Sequence, residues 1–165
     1  MKILWAPWRL AGVLQKSEKC IFCEMSKAPK EEDEKNLIVY RGEKIFVVMN
    51  KYPYNNGHVM LVPYRHIKYF SELTKEEMDE VLDVLKLLES CYTQTMSPHG
   101  FNFGVNIGAD AGASIEHLHF HLVPRWRGDT SFMPVLAETK VIPESLYDTY
   151  KKLKGCISSK SKVNS

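Results

Sequence analysis

Residues 116–126 read Glu-His-Leu-His-Phe-His-Leu-Val-Pro-Arg-Trp, and this stretch constrains the chain more than any other. His117, His119 and His121 alternate with Leu118, Phe120 and Leu122. A period of two is that of a β-strand with one apolar face packed on a core. The three imidazoles then share the other, wetter face. Imidazole changes charge near neutral pH, so three on one face point to a chemical role. A metal-binding or merely polar strand is the plainer alternative.

Other properties of the sequence limit the function classes. The chain has 165 residues, enough for one domain with a core. Lys plus Arg number 22 and Asp plus Glu 20, a balance that leaves no footprint for duplex nucleic acid. No apolar run is long enough to cross a bilayer. The start, Met1-Lys2-Ile3-Leu4-Trp5-Ala6-Pro7-Trp8-Arg9, is too short and too aromatic for an export signal. A cytoplasmic, reducing setting is therefore expected, with neither nucleic acid nor membrane as partner. In such a setting Cys20-Ile21-Phe22-Cys23 reads as half a metal site before it reads as a disulfide. A reduced pair with no metal is the alternative.

In chain order, residues 1–19 lack periodicity, and Trp5, Pro7, Trp8 and Arg9 suggest an extended arm that packs on something. Cys20 to Cys23 form a knuckle turn, and Lys27 to Lys35 a solvated, charged loop. Leu37 to Arg41 and Ile45 to Met49 flank Gly42-Glu43 as a hairpin. Asn50 to Gly57 is a turn-rich loop, and His58 to Val62 a third strand. Thr74-Lys75-Glu76-Glu77 is a capping box for the main helix. Met78, Val81, Leu82, Leu85, Leu88 and Tyr92 line its apolar face, and Ser97-Pro98-His99-Gly100 ends it. Cys91 on this helix reads as a small core residue. Phe101 to Ile107 is a fourth strand, Gly108 to Gly112 a loop, and the histidine strand the fifth. Pro143 starts a short helix through Leu146, Tyr150 and Leu153 that Gly155 ends. Cys156 is at most an exposed thiol, and the Ser/Lys-rich tail from Ser158 is disordered. These elements describe an α+β domain with a mostly antiparallel sheet and helix on one face.

The pattern His-φ-His-φ-His-φ-φ, with φ apolar, is met by His117 through Val123, and the chain from about Cys20 to Pro134 resembles the histidine triad (HIT) family of nucleotide hydrolases and transferases. The resemblance implies a HIT domain over 20–134, preceded by the 1–19 arm and followed by a C-terminal helix and tail over 135–165. It implies a five-stranded antiparallel sheet and a homodimer. Three stretches resemble the phosphorylase-type members that act on diadenosine tetraphosphate: Leu4 to Arg9, Glu116 to His119, and Pro124-Arg125-Trp126-Arg127-Gly128-Asp129-Thr130-Ser131-Phe132-Met133-Pro134. One departure stands out. Many hydrolase members carry Gln where this chain has Ala113, while Ser114 remains.

The resemblance also distributes roles. His119 is the nucleophile toward the α-phosphorus, forming a histidine-AMP intermediate. Its other ring nitrogen needs an acceptor, such as a backbone carbonyl. His121 and His58 stabilise charge on the non-bridging oxygens. The Gly112-Ala113-Ser114-Ile115 loop offers backbone N–H groups and a hydroxyl. Asn50 holds the ribose and Asn106 the phosphate region. Both asparagines are equally at home as turn residues at strand ends. Ile45, Phe46 and Leu61 are candidates for an adenine slot. The metal site, completed by His66 and His117, is a structural zinc, and it requires His117 to turn away from His119. Magnesium can accompany the nucleotide. Phosphate as acceptor gives ADP and ATP, and water gives AMP and ATP. The branch favours phosphate. A nucleotide-binding dimeric adaptor is the function of a different class.

Overall fold

A computed structural model describes residues 19–129 and 142–161 of the chain. The first helix, α1 (Ile21–Lys27), is followed by a 3-10 turn (Lys30–Glu32) and a single helical turn, α2 (Asp33–Asn36). Strands β1 (Ile38–Arg41), β2 (Ile45–Met49) and β3 (Val59–Pro63) come next. The long helix α3 (Lys75–Thr95) leads to β4 (Gly100–Val105), then β5 (Phe120–Arg125) and the last helix, α4 (Leu146–Ser161). The five strands pair antiparallel in the order β1-β2-β3-β5-β4. The expected five-stranded antiparallel sheet with a long helix is present. The N-terminal arm with Trp5 and Trp8, and the Thr130 to Pro134 stretch, lie outside the described residues.

The sheet is covered on both sides, which explains why all five β2 residues are buried. Ile45, Val47 and Met49 face α3 and α4, in a core with Val81, Val84, Leu88, Tyr92, Phe120 and Leu153. Phe46 and Val48 face the other way, in a smaller core with Phe22, Ile38, Met60 and Val62. Ile45 and Leu61 therefore sit on the side away from the histidines, and of the three proposed adenine contacts only Phe46 shares their side. That is a correction set by strand parity alone.

The helix start is as expected. Thr74 accepts from the Glu77 backbone N–H at 3.2 Å, and the Glu77 side chain takes the Thr74 N–H at 2.8 Å. The apolar face is rotated slightly from the expected one. Val84 is buried, whereas Leu82 is 46% exposed. The charged stretch from Lys27 to Lys35 is not a solvated loop. Asp33 is 6% exposed and binds Arg41 Nε at 2.8 Å and Lys154 Nζ at 3.3 Å, so it anchors two elements.

The C-terminal helix departs most from expectation. It continues through Gly155 to Ser161, so the described part of the tail beyond Ser158 is helical. Its packing on α3 overrides the weak helix propensity of one glycine. The extension brings Cys156 to Cys91, with 5.7 Å between Cα atoms, and the two form a disulfide. Cys156 is accordingly buried rather than an exposed thiol, and Cys91 is more than a small core residue.

Candidate active site and metal cluster

β5 starts at Phe120, so only His121 of the three histidines lies within the strand. His117 and His119 sit on the extended approach to it. The expectation of three imidazoles on one wet face is corrected in two respects. His117 and His119 are 1% and 4% exposed, and His117 turns toward the cysteines. The cause is a tertiary contact: the Leu118 N–H donates to the Ile67 carbonyl at 2.7 Å, which ties this approach to the chain after β3 rather than to a strand partner.

The His119 and His121 rings meet edge to face, 4.8 Å apart. His119 Nδ1 lies 2.7 Å from the His117 carbonyl oxygen. A carbonyl only accepts, so Nδ1 carries the proton and Nε2 keeps its lone pair. Burial holds the His119 ring below the ordinary imidazole range, against the opposing pull of that carbonyl. Neutral, desolvated and with one nitrogen bare, this ring can act as a nucleophile.

His58 is wholly buried and continues the chain of donors. The Tyr54 backbone N–H donates to its Nδ1 at 3.1 Å, so the proton of neutral His58 resides on Nε2. That Nε2 faces His121 Nδ1 at 2.9 Å. His121 Nδ1 therefore accepts, and its own N–H is on Nε2. Gly57 makes the approach to His58 possible. It has φ of +73°, and a Cβ there would meet the Tyr92 ring at 3.0 Å. The Tyr92 hydroxyl donates to the Gly57 carbonyl from the α3 side.

The remaining expected positions surround this centre with less tight geometry. Asn50 uses its side-chain oxygen to accept the Tyr52 N–H at 2.9 Å, an Asx turn that shapes the loop before His58. Asn106 donates to the Gly112 carbonyl at 3.5 Å, across the loop that carries Ala113 and Ser114. Ser114 is exposed and Ile115 packs on the smaller core.

Cys20, Cys23, His66 and His117 offer ligand atoms that all lie within 4.8 Å of one another. Two sulfurs and two imidazole nitrogens are the donor set of a closed tetrahedral site. His117 Nδ1 lies 3.3 Å from Cys20 Sγ, and His66 Nδ1 lies 3.3 Å from Cys23 Sγ. The other nitrogen of His117, Nε2, donates to the Pro63 carbonyl at 2.9 Å, which leaves Nδ1 bare toward the sulfurs. Such an outer hydrogen bond is the usual partner of a metal-bound histidine. Burial lowers the His117 proton affinity. Burial, and then the neighbouring Cys20, raise the Cys23 thiol in the absence of an ion. The cluster can therefore hold a metal ion. Cys23 lies within α1 rather than in a turn.

One residue with no periodicity to mark it joins the two sites. Phe22, between the cysteines, is 1% exposed, with its ring 5.6 Å from His117 and 5.1 Å from His119. The only sequence signal for it was an aromatic inside the Cys-x-x-Cys spacing.

The residue pattern of the HIT domain matches residues 31–128. A protein of Mycobacterium tuberculosis described as AP-4-A phosphorylase is 38% identical over 158 residues, covering 91% of this chain and 81% of that protein. A bis(5'-nucleosyl)-tetraphosphatase (asymmetrical) of Schizosaccharomyces pombe is 28% identical over 94 residues, covering 57% of this chain and 52% of its own. Among solved structures, a Zn-bound histidine triad family protein from Mycobacterium smegmatis superposes with a TM-score of 0.70 at 21% identity, covering 88% of this chain and 98% of that one. A hypothetical histidine triad nucleotide-binding protein from Sulfolobus tokodaii gives 0.66 at 27% identity, with 85% and 93% covered.

Proposed function

Because the chain belongs to the HIT domain family, we propose that it is a nucleotidyltransferase that cleaves diadenosine tetraphosphate or a related dinucleoside polyphosphate, with inorganic phosphate as acceptor. The observation that carries this reading is the buried His119 ring, its Nδ1 proton committed to the His117 carbonyl and its Nε2 bare. Nε2 attacks the α-phosphorus, a P–N bond forms, and the P–O bond to the departing ATP breaks. A phosphate oxygen then attacks the same phosphorus, the P–N bond breaks, and ADP leaves. The sum is diadenosine tetraphosphate plus phosphate giving ADP plus ATP. His121, its Nε2–H fixed by the His58 contact, donates to a non-bridging oxygen as charge builds there. Asn50, Asn106 and the Gly112-Ala113-Ser114-Ile115 loop hold the ribose and the phosphates.

The likeness to the M. tuberculosis phosphorylase supports phosphate as acceptor. Ala113 in the loop, where an amide side chain would serve a hydrolase, supports it too. The S. pombe relative gives the rival reading, in which water accepts. Product analysis separates them. Incubation of diadenosine tetraphosphate with the protein should yield ADP and ATP only when phosphate is present. AMP released at one rate, with or without phosphate, overturns the proposal in favour of hydrolysis.

Two further parts belong to this reading. Zinc is the metal we assign to Cys20, Cys23, His66 and His117; with four protein ligands it ties α1 to the sheet and takes no part in the chemistry. A second copy of the chain is the partner proposed for β4, whose only strand neighbour among the described residues is β5. Phe103, Phe70 and Ile107 lie exposed on or near that edge, at 44%, 48% and 36%. Cys20 and Cys23 are free thiols and so available to a metal, unlike the disulfide-bonded Cys91 and Cys156. No described helix is long and apolar enough to cross a membrane.

A further inference from the structure

Beyond His121 the site face of the sheet opens into a cavity of about 250 Å³, lined by Tyr54, Asn55, Asn102, Val123 and Arg125. The two-residue period of β5 puts His121, Val123 and Arg125 on one face. β4 pairs these with Gly104, Asn102 and Gly100. Two of those three β4 positions carry no side chain, and a Cβ at Gly100 or Gly104 would meet nothing within 4 Å. The floor is therefore open from His121 to Arg125, about 13 Å along the strand. Asn50 lies across the sheet in the opposite direction, at the end of β2. A ligand centred on His119 and His121 with one arm toward Asn50 has this cavity for its other arm.

The chemistry of the lining selects the ligand. Arg125 is not available as an anion receptor. Its Nε and Nη2 donate to the two Asp129 oxygens at 2.6 and 2.8 Å, and its Nη1 donates to Asn102 Oδ1 at 2.7 Å. Asn55, 5% exposed, also donates to Asp129 at 2.8 Å. The guanidinium is charge-balanced and held flat, so phosphate gains little here. The other groups suit a flat heterocycle. The Tyr54 ring stacks on His58 at 4.7 Å and is 40% exposed, Val123 gives an apolar floor, and Asn102 presents an amide. An aromatic face, an apolar floor and an amide are what a nucleobase stacks and hydrogen-bonds on.

We infer that this cavity holds the second nucleoside of the dinucleoside polyphosphate, the half that leaves with the polyphosphate. The inference rests on the adenylyl-transfer reading above, and it adds Asn102, Val123 and Tyr54 as residues that set specificity for a dinucleotide over a mononucleotide. Tyr54 then bridges the two halves, because its backbone N–H also fixes His58.

Binding to two ligands tests it. Diadenosine tetraphosphate and adenosine 5'-tetraphosphate share the first nucleoside and the four phosphates, and differ in the second nucleoside. Affinities are measured in a His119→Gln parent, which cannot form the covalent intermediate. The parent is expected to prefer the dinucleotide roughly tenfold, the worth of one stacked base. Asn102→Trp, a bulky residue that an exposed strand position accepts, fills the cavity. It should abolish that preference while leaving adenosine tetraphosphate unchanged. Asn102→Ala removes the amide and leaves Arg125 Nη1 without that acceptor, and should lower the preference a few-fold without emptying the cavity of its apolar and aromatic walls. A preference intact in both variants overturns the subsite, as does a loss for adenosine tetraphosphate as large as for the dinucleotide in both. A parent that binds neither nucleotide overturns the adenylyl-transfer reading itself, and the subsite with it.

Discussion

His119 Nδ1 stands 2.7 Å from the carbonyl oxygen of His117, and that contact leaves Nε2 as the ring nitrogen with a bare lone pair. It needs no third side chain. The residue that turns toward the cysteines supplies, through its backbone, the acceptor that fixes the tautomer of the next histidine. His119→Ala removes the nitrogen proposed to react and leaves the walls of the site. Turnover of diadenosine tetraphosphate should fall by more than about 10³-fold, with nucleotide affinity within a few-fold of wild type. Rapid quench with an α-labelled substrate should place label on the wild-type protein and none on the variant.

The protonation of His119 gives a pH prediction. In the proposed reaction the His119 ring attacks as the neutral form, and burial lowers its proton affinity below the ordinary value of 6.5. The neutral form therefore persists to lower pH than in a free histidine. The acid limb of kcat/KM, which reports the free enzyme, should bend below pH 6.5. A limb bending at pH 7 or above contradicts this assignment.

The metal cluster makes a third prediction. One zinc per chain should accompany protein prepared without chelator, and Cys20→Ser with Cys23→Ser should remove it. The double variant should melt at lower temperature, because α1 loses its tie to His66 and His117. Zinc content measured by elemental analysis at a small fraction of one per chain refutes the assignment.

Phe22 lies under both sites, and its loss should be felt in both. Phe22→Ala leaves a cavity between His117, His119 and Phe46, at a cost of about 3–5 kcal/mol in unfolding free energy. Denaturant titration measures it. Phe22→Leu fills most of the space and should cost less than half as much. The two variants together separate packing from any effect of the neighbouring cysteines.

Much of this was legible in the chain, and the failures share one physical cause. β2 was placed to the residue, and the α3 start was right because Thr74 and Glu77 announce it locally. The cluster of Cys20, Cys23, His66 and His117 was reachable through family resemblance, as was the turned His117. What sequence did not give was contact between distant elements. Nothing local says that α4 continues through Gly155, since packing on α3 decides it, and so the Cys91–Cys156 pairing was missed. Asp33 looked like part of a charged loop because its partners, Arg41 and Lys154, come from β1 and α4. The alternation of histidines suggests one strand face, whereas the strand begins only at Phe120. The Ile67 contact of Leu118 sets that boundary, and no periodicity reveals it.

Glu77 offers a stability test apart from the chemistry. Its side chain is 3% exposed, receives Arg65 Nε at 2.7 Å and Nη2 at 2.8 Å, and caps α3 through the Thr74 N–H. The hydrogen bond to Arg65, above all, holds the carboxyl below its ordinary value of 4.5. A carboxyl with a depressed native value contributes stability that is fully present above the unfolded value and is lost as pH falls through the native one. Unfolding free energy should therefore be level above about pH 5 and decline below about pH 4. Glu77→Ala removes the cap and leaves the Thr74 N–H without its acceptor, and should cost about 1–3 kcal/mol at neutral pH. It should also flatten the acid decline, since the titrating group is gone. Urea titrations of both proteins at pH 7 and pH 3.5 check the pair of effects, and an acid decline equally steep in the variant refutes the role given to this carboxylate.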